Sequence, residues 1–130
     1  MKTILKASIV FIAMVITLSF VSEKPWVVPD KDKAVKNTVT SDATSLAAGK
    51  SLYGKLCKSC HGVSGKGDGT KAKELDTPTG SFLDDSFVKQ TDGEVFYKIR
   101  KGRDDMPSFT KETEPSDVWN LINYIRTFKK

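Results

Sequence analysis

Residues 56 to 69 read LCKSCHGVSGKGDG, and within that stretch Cys57, Cys60 and His61 are the only cysteines and the only histidine of a 130-residue chain. Every soft ligand the chain owns outside its methionines therefore falls within one turn's length of sequence. A structural zinc site takes four ligands, usually Cys and His. This chain offers three, and adjacent Cys60 and His61 are awkward partners on one ion. A thiol oxidoreductase opens a helix with its Cys-x-x-Cys after a strand, whereas here a helical pattern precedes the motif. A bare disulfide between Cys57 and Cys60 is compatible with the residues but leaves His61 without a task.

The surrounding periodicity is helical. Starting near Ser45, SLAAGKSLYGKLC places Leu46, Gly49, Tyr53 and Leu56 at spacings of three and four, one face of an amphipathic helix that runs into the motif. A second helix is expected in TDGEVFYKIRKG, where Thr91 and Glu94 have capping-box spacing, Val95, Phe96 and Ile99 point inward, and Gly102 ends the run. A third follows Pro115, with Ser116 as the expected cap and Val118, Leu121, Ile122, Ile125 and Phe128 at the helical period. No segment alternates apolar and polar residues long enough to argue for strands, so the expected fold class is all-α. Between the first two helices, residues 62 to 90 carry five glycines, Pro78 and at most a helical turn around Leu83 to Val88. A connection longer than about 15 residues in a compact domain usually has a reason, commonly to wrap something. Three short helices also supply a small core, and domains near this size often need a staple.

The chain begins with Lys2 and Lys6 ahead of an apolar run from Ala7 to Val21. That is an export pattern, short of the roughly 20 residues a membrane span needs. Residues 1–22 are accordingly expected to be a signal peptide or an N-terminal membrane anchor, residues 23–44 a polar linker lying along the domain surface, and residues 45–130 the folded domain. Of the linker, only Trp26, Val27 and Val28 have much to bury. Without Lys2 and Lys6 there remain 19 basic against 16 acidic side chains. With the signs interspersed and no Arg-rich block, nucleic-acid binding has no support.

Cys-x-x-Cys-His is the sequence at which haem is attached through two thioethers. Cysteines three apart in a tight turn reach two vinyl groups, and the adjacent histidine can turn its imidazole under the ring. Cys57 and Cys60 are thus candidates for thioether formation and His61 for the proximal ligand of the iron. A large apolar group held covalently would also fill a small core and give the glycine-rich connection something to cover. No second histidine exists for the other axial position, and Met106, in GRDDMPSF, is the only methionine outside the export segment. Methionine is most often core filler, but Asp104, Asp105 and Pro107 around it favour a thioether ligand. His/Met ligation raises the potential of such a site.

In this order, AAGKSLYGKLCKSCHG, GKGDG, TDGEVFYKIRKGRDDMPSF and DVWNLINYI resemble the class I cytochromes c, particularly the small single-haem bacterial proteins, over about Ser45 to Lys130. The resemblance implies a cytochrome c-like small helical domain wrapped around one covalently attached haem c. It implies that Gly49 and Tyr53 pack against an aromatic of the last helix, Tyr124 first and Trp119 as the alternate. It implies further that a loop proline carbonyl orients the proximal imidazole, and Pro78 is the only proline between His61 and Met106. GKGDG reads as turn chemistry, its glycines admitting positive φ.

The function expected from these residues is that of an exported electron carrier, not an enzyme. It would shuttle single electrons between a quinol-cytochrome c reductase-type donor and a terminal oxidase or periplasmic reductase, in the periplasm or on the outer face of the cytoplasmic membrane. Lysines 55, 58, 66, 71, 73 and 101, with Arg103, are placed in sequence to steer it toward acidic patches on redox partners. The alternative is a haem sensor or peroxidase-like module with a dissociable Met106, motivated by Asp104 and Asp105 beside it. A metal or thiol redox module is a third reading.

Overall fold

Polar side chains at their N-termini set where the three longest helices of this protein begin. The structure, a computed structural model, describes residues 24–129, so the expected export segment lies outside the described residues. Its helices are α1 (Asp30–Lys33), α2 (Ala43–Leu56), α3 (Lys58–His61), α4 (Asp85–Val88), α5 (Asp92–Lys101) and α6 (Pro115–Arg126), with a 3-10 turn at Ala72–Glu74. Among the described residues there is no strand, only an isolated antiparallel bridge between Arg103 and Met106. No helix among them is long and apolar enough to cross a membrane.

The start of α5 follows the local code: the Thr91 hydroxyl accepts from the Glu94 N–H at 3.1 Å while the Glu94 carboxylate accepts from the Thr91 N–H at 2.7 Å. Two other starts differ from expectation. α2 begins at Ala43 because the Asp42 carboxylate caps it, accepting from the Ser45 N–H at 2.8 Å. α6 begins at Pro115, whose fixed φ suits the first helical position, and Glu114 precedes it with its N–H donated to the Asp117 carboxylate at 3.0 Å. Ser116 is therefore inside the helix and is not its cap.

α2 and α6 make the most extensive helix pairing among the described residues. A Cβ on Gly49 would collide with the Asn120 carbonyl oxygen of α6 and press on the Tyr124 Cβ, so the helices approach backbone to backbone at this point. One turn further along α2, Tyr53 is 2% exposed and packs on Tyr124 (ring centroids 5.5 Å apart) and Phe128 (5.2 Å). Of the two expected aromatic partners, Tyr124 thus meets α2. Trp119 instead stacks on Phe96 of α5 at 4.1 Å. Val95 and Ile99 of α5 join Val118, Leu121, Ile122 and Ile125 of α6 in the buried core around Tyr53 and Cys57.

The polar segment before α2 is fastened to this core. Val28 is 3% exposed. The buried Asn123 side chain donates to the Val39 carbonyl (3.1 Å) and the Ser45 hydroxyl (2.9 Å) and accepts from the Asn37 amide at 2.8 Å.

The two glycines of α2 predict opposite outcomes. Gly49→Ala must push apart two backbones and should destabilise the protein by about 1–3 kcal/mol. Gly54 has nothing within 4 Å of the position a Cβ would take, so Gly54→Ala should stabilise it by about 0.5–1 kcal/mol through helix propensity. Denaturant unfolding followed by far-ultraviolet circular dichroism measures both.

Candidate functional site

The motif forms where α2 ends. Cys57 closes α2 with its N–H on the Tyr53 carbonyl at 3.0 Å and opens α3, its own carbonyl accepting from the N–H groups of Cys60 (3.2 Å) and His61 (2.9 Å). Cys60 and His61 thus each lie about one turn from Cys57, the spacing at which side chains become neighbours. The Tyr53 hydroxyl donates to the Gly62 carbonyl at 2.6 Å, tying the end of the motif to the core.

The long connection turns back over the motif. N–H groups of Gly67, Gly69 and Lys71 donate to the carbonyls of His61 (2.9 Å), Cys60 (3.1 Å) and Ser59 (2.9 Å) in turn. Gly65 and Gly67 have positive φ, as GKGDG implied. The Phe82 N–H donates to the Gly65 carbonyl at 2.8 Å, and the Phe82 ring stacks on the His61 imidazole, centroids 4.5 Å apart and planes 18° from parallel.

Met106 is held in a tight turn. Its N–H donates to the Arg103 carbonyl at 2.9 Å and its carbonyl accepts from the Arg103 N–H at 2.8 Å. Asp105 reaches across to accept from the Thr77 N–H at 2.8 Å, joining this turn to the connection.

Two adjoining cavities of about 170 and 230 Å³ lie between these parts. Cys57, His61, Ile99, Met106, Thr79 and Trp26 line both, and Cys60 lines the first. The four residues singled out from sequence therefore share one space. Two buried polar atoms at its wall, His61 Nδ1 and Thr79 Oγ1, have no hydrogen-bond partner.

Burial decides the charge of Cys57 and His61. It pushes the Cys57 thiol up to about 12, with a smaller contribution from Cys60, and draws His61 down to about 4. Both are neutral near pH 7, and a neutral imidazole keeps a lone pair for a metal. A thiol oxidoreductase depends on a depressed thiol, the opposite of Cys57. The cysteines are not paired as a disulfide. Among the described residues, which include every Cys and His of the chain, no three His, Cys, Asp or Glu side chains converge on a metal position. Two free thiols, a neutral imidazole with an unpartnered nitrogen and a thioether, all on the wall of one largely apolar cavity, do fit a haem.

Two expectations are corrected here. No hydrogen bond joins the Pro78 carbonyl to His61, because Nδ1 is left without a partner and the ring rests on Phe82 instead. Arg103 is not a free surface cation: it lies against the Trp26 ring at 4.8 Å and donates to the Lys24 carbonyl at 3.0 Å. Lysines 55, 58, 66, 71, 73 and 101 are all exposed. Sequence reasoning missed Phe82 and Trp26 as wall residues. For Trp26 a signal existed, a lone indole in a polar segment, whereas Phe82 carried none.

Residues 44–125 match the family described as cytochrome c oxidase, cbb3-type, subunit III. No curated protein matches the chain significantly. Among solved structures, the Kuenenia stuttgartiensis reducing HAO-like protein complex Kustc0457/Kustc0458 aligns with 28% identity and a TM-score of 0.66 over 74% of this chain and 50% of that one. This chain thus spans half the length of that relative. The KustC0563 c-type cytochrome aligns with 31% identity and a TM-score of 0.55, over 63% of this chain and 98% of its own. The protein belongs to the cbb3-type cytochrome c oxidase subunit III family and is a small, single-haem class I cytochrome c, whose cofactor is covalently bound haem c.

Proposed function

We propose that the protein is an exported single-electron carrier and not an enzyme. It would work in the periplasm or on the outer face of the cytoplasmic membrane, between a quinol-cytochrome c reductase-type donor and a terminal oxidase or periplasmic reductase. When bound, haem supplies the one-electron Fe(III)/Fe(II) couple. Cys57 and Cys60 would hold it through thioethers, His61 would give the imidazole ligand and Met106 the thioether ligand. The observation that carries the reading is that His61 and Met106 line the same cavities while Met106 is pinned by two backbone hydrogen bonds. With His61 and Met106 both serving as ligands, the bound iron would have no open position for substrate.

The acidic neighbours of Met106 favour this reading over a dissociable ligand. Asp105 anchors the turn to Thr77, and Asp104 lies 3.1 Å from the Arg103 guanidinium. The exposed lysines would steer the protein toward acidic partners. The similarity to a chain of a reducing HAO-like complex supports transfer between proteins, and the Lys-flanked apolar run at residues 1–22 supports export.

Native ferrous protein at neutral pH should resist carbon monoxide, and prompt binding would overturn the carrier reading in favour of an open haem. Met106→Ala should keep its haem, lose the far-red methionine band of the oxidised protein, bind carbon monoxide and fall in reduction potential. An unchanged potential contradicts the ligand assignment. Asp105→Ala should loosen the turn at a cost of about 1 kcal/mol and speed carbon monoxide uptake, with Asp105→Asn, which keeps an acceptor, between it and wild type; stopped-flow absorbance reads the order. Cys57→Ser and Cys60→Ser should each impair attachment, seen as haem extractable by acidified solvent.

A further inference from the structure

Every residue lining the two cavities falls within the family-matched stretch 44–125 except one, Trp26. Its segment is fixed to the domain on both sides of the indole. Before it, the Lys24 carbonyl accepts from Arg103 Nη1 at 3.0 Å. After it, Val28 is buried, the Lys33 carbonyl accepts from the Thr91 hydroxyl at 2.8 Å, and the carbonyls of Asp32 and Val35 press so close to Gly93 of α5 that a Cβ there would collide with them. The chain from Lys24 to Val35 is thus strapped across one end of α5, a dock that only glycine at position 93 allows.

The indole is held by charge as well as by its backbone. Lys98 Nζ stands 5.5 Å from the ring centroid and the Arg103 guanidinium 4.8 Å from it, both within cation–π range. Lys98 is itself fixed by Gln90 Oε1 at 2.7 Å. These two cations and the indole stand together at the wall of the cavity, and next to them Val27, 78% exposed, faces away from the protein. An aromatic side chain carried by a segment lying over the domain surface is costly to order unless it covers something apolar.

Resting on the haem-carrier reading above, we propose that residues 24–35 form a strap that lays Trp26 over the edge of the haem. Trp26 is then a positioning residue that shields the group from water and helps set its reduction potential. Water stabilises the more highly charged ferric form, so a dry, apolar cover favours the ferrous form.

The test uses the native haem-loaded protein with Trp26→Ala, Trp26→Phe and, as a neighbour that faces solvent, Val27→Ala. Potentiometric titration should move Trp26→Ala toward the ferric form by about threefold to tenfold, tenfold being about 59 mV for one electron. Trp26→Phe should lie between it and wild type, and Val27→Ala should match wild type. Reduction by a small neutral reductant, followed by stopped flow, should be faster in Trp26→Ala in the same order. If Trp26→Ala does not accumulate, Trp26→Phe against Val27→Ala decides the matter alone. Equal potentials and equal reduction rates in all variants would overturn the strap while leaving the carrier reading intact. Wild-type protein without haem or without the methionine band would instead overturn the carrier reading on which the strap rests.

Discussion

At Gly49 the backbone of α2 meets the Asn120 carbonyl of α6 with no side chain between them, and the geometry of the cavity follows from that approach. Tyr53, one turn on, is drawn into the space between Tyr124 and Phe128, and its hydroxyl holds the Gly62 carbonyl at the end of the motif. Cys57, Cys60 and His61 therefore leave α2 from a fixed point in a fixed direction. The position of the cofactor's attachment is set by a helix crossing made of a glycine, a carbonyl and a ring.

The part of the wall that carries Met106 is fixed by different means. Met106 sits in a two-bond turn with Arg103, and Asp105 ties that turn to the glycine-rich connection, which itself bonds back to the carbonyls of Ser59, Cys60 and His61. The ring of hydrogen bonds thus runs from one proposed ligand to the other without passing through the hydrophobic core. Between them, burial keeps Cys57 and His61 uncharged. A buried group that is already neutral spares the site the cost of desolvating a charge.

What the sequence made legible was local chemistry. The capping box of Thr91 and Glu94, the helical period of Val118 to Ile125, the turn glycines Gly65 and Gly67 of GKGDG and the spacing of Cys57, Cys60 and His61 each act within a few residues, and each is present; α6 stops at Arg126, short of Phe128. The helix starts that differ, Ala43 where the run was expected from near Ser45 and Pro115 after Glu114 where Ser116 was the expected cap, fall at helix ends where several polar residues compete for the same N–H groups. What was illegible depends on distant partners. Phe82 under His61 and Trp26 between Lys98 and Arg103 become wall residues only when the connection and the N-terminal segment fold back. Pro78, inferred from resemblance, lines the first cavity but leaves His61 Nδ1 unpartnered.

The account stands on the covalent union of one porphyrin with the turn that holds Cys57 and Cys60. The intact mass of the protein purified from its native host, taken after denaturation and extraction with acidified organic solvent, tests this most directly. The account predicts the mass of the polypeptide plus one haem, unchanged by extraction. A mass equal to the bare polypeptide, with or without its first 22 residues, would contradict it.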